Sequence, residues 1–466
     1  MNIDEVLRTV LERIKPKSED YKRVNKVYNF IKSRVEEQLI KHELEAEVTL
    51  QGSIAKDTWL SDELDLDIFV LFPPKFSKEW LKEEAIRILV KALKDFNIQL
   101  SYAEHPYIRL NINGVFVDVV PAFKVSDPRY LKSAVDRTPL HTRYVLSKLS
   151  KEERDQVRLL KKFLKGIGVY GAEIKVQGFS GYLAELLIIK FKNFLNLLRN
   201  ASSWKPPIII DIEGYYDVKD YKSLVKRFKD QPLIVIDPTD PNRNVAAALS
   251  LKNLSIFIEA SRSFLAKPDI RYFFPPRLSD DEYKVKIRTL ISRRKTCIIG
   301  ILLEIPSIPP DVLWGELRRV TKNAIRVLQM NKFNVVDYAI WSNEKSKAII
   351  LIELIEETLP EYEVHLGPPV TNVDHSYKFK DKYSKLPNII GPWIGDDGRW
   401  RILRPRRWRN AIELLRFKRN EIIVTKHLRN CNVEFIKEHD LEKTFNHGGD
   451  WLQCLYKFLV KRPPWI

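Results

Sequence analysis

The chain has 466 residues, 44% of them hydrophobic and 11% aromatic, enough to bury substantial cores and too many for one, so about three domains are expected. Lys and Arg number 79 against 61 acidic residues, a formal charge of +18; a charge-rich thermophile surface also reaches 30% charged residues but need not be so unbalanced, and nucleic acid is the leading partner. Cys297, Cys431 and Cys454 are odd in number and too scattered for a zinc set, the start at Asn2-Ile3-Asp4-Glu5 is no basic-then-apolar leader, and no apolar run reaches membrane-spanning length, so a cytoplasmic protein without a membrane partner is expected.

Residues 2–15 and 19–42 read as amphipathic helices, the second carrying Val24, Val27, Tyr28, Ile31 and Val35 at spacings of three and four. A strand through Val48 to Leu50 leads to a Gly52-Ser53 turn, and a second strand spans 64–72. Alternate side chains of a strand share a face, so Asp65 and Asp67 project together, roughly 7 Å apart. A covering helix at 78–94 follows, then strands 108–112 and 115–120 around Asn113-Gly114, the signal for a two-residue hairpin turn. This hairpin carries Asp118 in an apolar strand, where an ionised carboxylate needs a partner.

If the strands of Asp65/Asp67 and Asp118 are neighbours, three carboxylates converge, and oxygen-only ligation favours Mg²⁺ or Mn²⁺ over zinc. Two such ions can bracket an in-line attack on phosphorus. Read singly, each Asp is a solvated or salt-bridged side chain; the spaced pair with a third in an apolar strand points to nucleotidyl transfer. Gly52 lets the backbone approach a ligand, and the N–H groups around Ser53 can hold phosphate oxygens if the turn opens a helix.

From 139 to about 267 the pattern is mostly helical, with helices at 152–166, 179–199 and 246–265 broken at Pro206-Pro207 and Asp237-Pro238. A strand at 297–304, a helix at 313–331, strands at 333–341 and 347–356, a helix near 372–384 and a strand at 399–404 then describe a split βαβ sheet of the kind many RNA-binding modules use. Arg288, Arg293, Arg294 and Lys295, and then Arg399-Trp400-Arg401, Arg404, Arg406, Arg407, Trp408 and Arg409, interleave cations with rings that can stack on bases, although either run alone is commonly a solvated face. Residues 405–466 hold helical patches without a readable topology. The expected class is α+β: a catalytic head at 1–138 with a small mixed sheet, a helical domain at 139–267, and a body at 268–466 with a split βαβ sheet and a helical tail.

The Gly52-Ser53 turn, the Asp65-Leu66-Asp67 strand and Asp118 together resemble the nucleotidyltransferase superfamily. Within it the chain is similar to the archaeal-type CCA-adding enzymes. The likeness runs through Gly52-Ser53-Ile54-Ala55-Lys56-Asp57-Thr58, Ala103-Glu104-His105-Pro106-Tyr107, Val117-Asp118-Val119-Val120-Pro121 and Ser133-Ala134-Val135-Asp136-Arg137-Thr138-Pro139. It continues in Val169-Tyr170-Gly171-Ala172-Glu173, Gly178-Phe179-Ser180-Gly181-Tyr182 and the stretch from Asp237 to Ala246.

The resemblance implies addition or repair of the 3′-terminal CCA of tRNA from CTP and ATP, without a nucleic-acid template and with release of pyrophosphate. It implies Asp65, Asp67 and Asp118 as catalytic ligands of two Mg²⁺ ions, with Asp118 serving the ion that activates the primer hydroxyl. Gly52, Ser53 and Lys56 fall at the triphosphate, His141, Lys161 and Tyr170 at the triphosphate and sugar, and Arg243 at the base. Where relatives often carry Glu this chain has Asp65, a shorter ligand. Without the resemblance, His141 is a residue at a helix start, Lys161 part of a basic amphipathic helix, Tyr170 a core plug, and Arg243 a loop residue paired with Asp240 before a helix from Val245. The implied partners are the acceptor arm and TΨC side of tRNA, and a homodimer is one admissible assembly. An adenylate-only polymerase of the poly(A) polymerase or oligoadenylate synthetase type, and an RNA-binding protein with a retired head, are the alternatives.

Overall fold

The computed structural model describes residues 2–102, 106–463 and 465–466; Ala103, Glu104 and His105 of the motif above lie outside them. The chain divides into two units, Met1–Pro276 with Pro463–Ile466, and Arg277–Arg462.

In the first unit, Val6, Val10 and Ile14 form an apolar stripe on α1 (Ile3–Ile14), and Val24, Val27, Ile31, Val35 and Leu39 do so on α2 (Ser18–Lys41). The chain runs through β1 (Glu47–Gln51), the single turn α3 (Gly52–Ala55) and β2 (Asp65–Phe72). The covering helix is α4 (Lys78–Trp80) and α5 (Ile86–Ala92), joined by a π turn over Leu81–Ala85 that buries Leu81 and Ala85. An unanticipated β3 (Gln99–Tyr102) precedes β4 (Pro106–Ile112) and β5 (Val115–Phe123). The sheet order is β1-β2-β5-β4-β3, with β2 and β5 parallel and the other pairs antiparallel. The predicted hairpin turn forms, with Asn113 and Gly114 both left-handed at φ 51° and 78°.

Helices α6 (Thr138–Lys148), α7 (Lys151–Gly166), α8 (Gly181–Phe191) and α9 (Phe194–Ala201) follow. The helix expected over 179–199 is two, broken at Lys192, whose φ is 72°, and restarted by the Asn193 cap on Asn196 N–H. Then come β6 (Ile208–Ile210), α10 (Tyr221–Arg227), β7 (Leu233–Asp237), β8 (Asp240–Asn244) and α11 (Leu251–Ala266). The helical domain thus contains a three-stranded sheet, β6-β7-β8, that the sequence reading lacks, and α11 begins at Leu251 rather than Ala246. Short apolar runs such as Leu233–Ile236 carry no period that separates strand from buried helix. Phe163, Phe179, Phe194, Phe257, Phe264 and Phe273 form the aromatic centre of the core.

The second unit begins with α12 (Asp280–Ser292), followed by β9 (Cys297–Glu304), α13 (Pro310–Met330), β10 (Val335–Ser342) and β11 (Lys347–Leu354). Next are β12 (Tyr362–Pro369), α14 (Val373–Ser384), β13 (Ile390–Ile394) and β14 (Arg399–Pro405). The unit ends with α15 (Ala411–Phe417), α16 (Arg419–Ile422), β15 (Val433–Lys437) and α17 (Gly449–Val460). The split βαβ sheet is present, fully antiparallel in order β10-β11-β9-β15. Its fourth strand is β15, not the expected 399–404 strand, which as β14 pairs with β12 and β13 in a separate sheet. The chain between β11 and β15 is therefore an insertion, and its own sheet captured the strand that local pattern assigned to the main one.

Candidate active site

Register across the head sheet brings the acidic residues together. Asp67 on β2 lies beside Asp118 on the parallel β5, Gln51 on β1 flanks Asp67, and Arg109 on β4 flanks Asp118, all in one row. Asp65, Asp67, Arg109, Phe116 and Asp118 line one cavity. The partner that Asp118 needs is Arg109, a residue the sequence reading missed: Arg109 Nε donates to Asp118 Oδ1 at 2.8 Å and Nη2 to Oδ2 at 2.7 Å. This bidentate bond holds the Arg109 guanidinium more firmly protonated than usual.

Asp65 and Asp67 stand differently. Burial and then the nearby Asp118 charge raise the Asp65 carboxyl, and burial, Asp118 and Asp65 push Asp67 up to about 6. Among the described residues no group of three or more His, Cys, Asp or Glu side chains is arranged to hold a metal ion, and Asp118 is turned to Arg109. The donor set nevertheless suits a hard divalent cation: all the candidate donor atoms are carboxylate oxygens, and Asp65 and Asp67 are raised by burial first and by their acidic neighbours second, a penalty that a bound cation would relieve. An ion shared with them would compete with Arg109 for the Asp118 oxygens.

The turn before β2 is built around Asp67. Gly52 has φ 70° and sits so close that a Cβ would overlap Asp67 Oδ2. Ser53 lies in the one-turn helix α3, and the following Asp57 is clamped by Tyr21 Oη at 2.5 Å and by Arg158 of α7, whose Nε also donates to the Trp59 carbonyl at 3.0 Å. That clamp delivers Lys56 and Thr58 to a buried cluster on α8. Lys56 Nζ pairs with Glu185 Oε2 at 2.5 Å, Thr58 Oγ1 donates to Glu185 Oε1 at 2.6 Å, and Lys161 Nζ lies 3.5 Å from Glu185 Oε1 while donating to Thr58 O at 3.0 Å. Burial lowers the Lys161 ammonium to about 8, Glu185 and Lys56 acting in opposite senses on it. Burial opposes ionisation of Glu185 too, but Lys56 and Lys161 hold its carboxyl low.

Ser53, Lys56, Asp65, Asp67, Lys161 and Tyr170 line a second cavity, which shares Asp65 and Asp67 with the first. Its wall also includes Tyr182 and Glu185, neither of which the sequence reading weighed. Lys161 is buried within α7 rather than on a basic face, and burial keeps the Tyr170 phenol protonated. His141 and Arg243 stand beyond Tyr182. His141 does lie near the start of α6, but its ring stacks on Tyr182 at 3.9 Å between centroids and its Nε2 meets Asp237 Oδ2 at 3.1 Å. Arg243 is on strand β8, not in a loop, and its Nη1 pairs with Asp237 at 2.8 Å; Asp240 pairs instead with Arg137 at 3.3 Å.

Several cations of the second unit serve that unit itself. Arg294 is tied to Glu353 at 2.7 Å, Arg404 and Arg406 both meet Glu363, and Trp400 Nε1 donates to Ser376 Oγ at 2.5 Å. Arg293, Lys295, Arg399, Arg407 and Arg409 are exposed. Among the described residues no helix is long and apolar enough to cross a membrane.

A mixed sheet with an acidic row, a Gly-Ser turn against it and lysines above it defines a nucleotidyltransferase, and residues 26–141 match the nucleotidyltransferase domain model, whose superfamily generally uses divalent metal ions. Residues 155–274 match the second domain of tRNA nucleotidyltransferase, and 294–436 the C-terminal domain of CCA-adding enzyme. The chain is 38% identical over 457 residues to the CCA-adding enzyme of Saccharolobus shibatae, covering 98% of each. To that of Sulfolobus acidocaldarius it is 36% identical over 463 residues, again 98% of each, and to that of Methanothermobacter thermautotrophicus 37% over 409 residues, 87% of this chain and 86% of the other. The chain belongs to the CCA-adding enzyme family.

Proposed function

We infer that this enzyme completes tRNA 3′ ends as a CCA tRNA nucleotidyltransferase, transferring CMP, CMP and then AMP from CTP and ATP without a template. In each step the terminal 3′ oxygen of the tRNA bonds to the α-phosphorus, the α–β phosphoanhydride bond breaks, and pyrophosphate leaves with the electron pair. The family membership and the row of Asp67, Asp118 and Arg109 on three adjacent strands carry this reading. A function limited to adenylate addition fits less well, since the models matched over 155–274 and 294–436 are those of tRNA nucleotidyltransferase and CCA-adding enzyme.

Asp65, Asp67 and Asp118 would hold Mg²⁺, two ions per site. Bound there, divalent ions neutralise the triphosphate and lower the pKa of the attacking hydroxyl. The chain's own part is positioning and charge. Ser53 offers a hydroxyl and Lys56 and Lys161 two cations on one wall of the cavity, where Tyr170 adds a protonated phenol, and Gly52 admits Asp67 to the turn; His141 would serve the triphosphate and sugar. Arg243 would meet the incoming base, its planar fork matching acceptor edges that a lysine cannot address as a pair.

The three-part division at 1–138, 139–267 and 268–466, with tRNA acceptor-arm and TΨC contacts on the later parts, belongs to this reading, as do a cytoplasmic location and a homodimer. Among the described residues Cys297, Cys431 and Cys454 form no disulfide with one another, which suits a reducing compartment. Incubating tRNA lacking CCA with CTP and ATP and sequencing the products tests the function: two C and one A are expected, and long A tails would overturn it. Asp118→Ala is expected to lose turnover while retaining tRNA binding.

A further inference from the structure

The carboxylate of Asp237, at the end of β7, is fully buried, yet donors reach it from three other elements. Oδ1 accepts from the backbone N–H and the hydroxyl of Thr239, both at 2.9 Å, and from Tyr182 Oη at 3.1 Å. Oδ2 accepts from Arg243 Nη1 at 2.8 Å and lies 3.1 Å from His141 Nε2. The two oxygens thus divide the work. Oδ1 closes the turn from β7 into β8 and ties α8 to it; Oδ2 holds two side chains that face the nucleotide in the function proposed above.

We propose that Asp237 is a positioning residue for base selection, fixing the direction of the Arg243 fork and the tautomer of His141. The inference rests on the reading of this site as the nucleotide pocket. An arginine whose base-facing fork swings freely would find acceptor patterns of several bases, whereas one anchored at Nη1 presents its remaining N–H groups along one direction. Arg243 is partly open to solvent, with 37% of its side chain exposed, so those groups are available, and Asp237 is the acidic partner it pairs with.

The same carboxylate decides the hydrogen pattern of His141. Burial works against an ionised Asp237, but the bonds from His141 and Thr239 and the Arg243 charge hold its carboxyl far below the usual range, so it accepts only. His141 Nε2 must then carry the proton. Burial favours the neutral ring despite Asp237, which leaves Nδ1 as an acceptor for a hydroxyl donor such as a ribose O–H. The flat stack on Tyr182, itself bonded to Oδ1, fixes the ring plane. One buried group therefore aligns a base-facing cation and a sugar-facing acceptor.

Asp237→Asn separates this role from a merely structural one. An Asn oxygen can still take the Oδ1 bonds and close the turn, while its NH₂ replaces the acceptor that Arg243 and His141 need. CTP and UTP compete in one tube for tRNA lacking CCA, and ATP and GTP for tRNA ending in CC, so the product ratio is independent of the folded fraction. Asp237→Asn is expected to lower the CMP:UMP and AMP:GMP ratios about tenfold or more and to raise KM for CTP more than it lowers kcat. Arg243→Lys is expected to match it, and the double variant to be no worse than either alone. Thr239→Val, which removes only an Oδ1 donor, is expected to keep the parent ratios. If Asp237→Asn does not fold, Asp237→Glu retains the buried charge and displaces Oδ2 by a methylene, with the same loss expected. Parental ratios in the Asp237 variants, or losses that multiply in the double variant, would overturn the proposal. Failure of the parent to add CMP to tRNA lacking CCA would instead sink the functional reading beneath it.

Discussion

Arg109 and Asp118 face each other across β4 and β5 and share two hydrogen bonds, of 2.8 and 2.7 Å. If Asp118 holds a divalent ion as proposed, the guanidinium competes with that ion for the same two oxygens. With the Arg109 side chain about half exposed, the pair is worth no more than about 1 kcal/mol. Arg109→Gln is expected to leave thermal stability in EDTA nearly unchanged and to tighten Mn²⁺ binding about fivefold, the equivalent of that energy. A Mn²⁺ titration read by electron paramagnetic resonance checks this. Unchanged or weaker binding would show that Arg109 does not compete for the site.

Glu185 is the sole acidic side chain paired with the buried ammonium groups of Lys56 and Lys161, and neither lysine gains another carboxylate among the described ion pairs. Removing one partner of a buried cluster leaves uncompensated charge, a loss of about 3–5 kcal/mol. Glu185→Gln is expected to show a loss of that size in urea unfolding at pH 7. Adding Lys161→Met, which removes one of the stranded charges, is expected to recover part of it. A purely additive double variant would mean that the cluster is not coupled.

Much of the head could be read from residues alone because its signals are local. The alternation around Asp65 and Asp67, the Asn113-Gly114 turn and the apolar strand of Asp118 each lie within a few positions, and each forms as expected. What escaped depends on contacts between distant positions. Arg109 becomes the partner of Asp118 only through sheet register, and Lys56 meets Glu185 across 129 positions. Arg243 is similar: its strand is short and polar, so nothing in its spacing marks it as β, and Asp237 rather than the nearer Asp240 holds it. In the second unit, β14 carries a good strand pattern, but pattern does not say which sheet receives it.

Gly52 joins the turn to the acidic row through absent atoms. Its φ of 70° is unfavourable for a side chain, by about 1–2 kcal/mol, and a Cβ would also overlap Asp67 Oδ2. Gly52→Ala is therefore expected to lower stability by at least that amount and, by displacing Asp67, to cut kcat more than a hundredfold, a loss comparable to moving a reacting group by about 1 Å. Circular dichroism melting and single-turnover CMP addition read the two effects separately. A variant with normal turnover would show that Asp67 need not touch the turn.

Lys161 gives a pH dependence in which folding and substrate capture move in opposite directions. Burial brings its ammonium from the usual 10.5 down to about 8 in the folded protein. Between those values the unfolded chain binds more protons than the folded one, so this group's contribution to stability increases as pH rises from about 8 towards 10.5; below about 8 the cost of burying the charge is fully present. In the role proposed for Lys161, triphosphate capture would need the charged form. Hence kcat/KM for CTP is expected to fall above pH 8, approaching tenfold per unit, while urea midpoints over pH 8–9 do not fall on account of this residue. A bound triphosphate adds negative charge beside the ammonium and raises its pKa, so kcat is expected to decline at higher pH than kcat/KM. Lys161→Arg, which stays protonated, is expected to have a low but pH-independent kcat/KM across this range. If the alkaline limb persists unchanged in Lys161→Arg, another group is responsible for it.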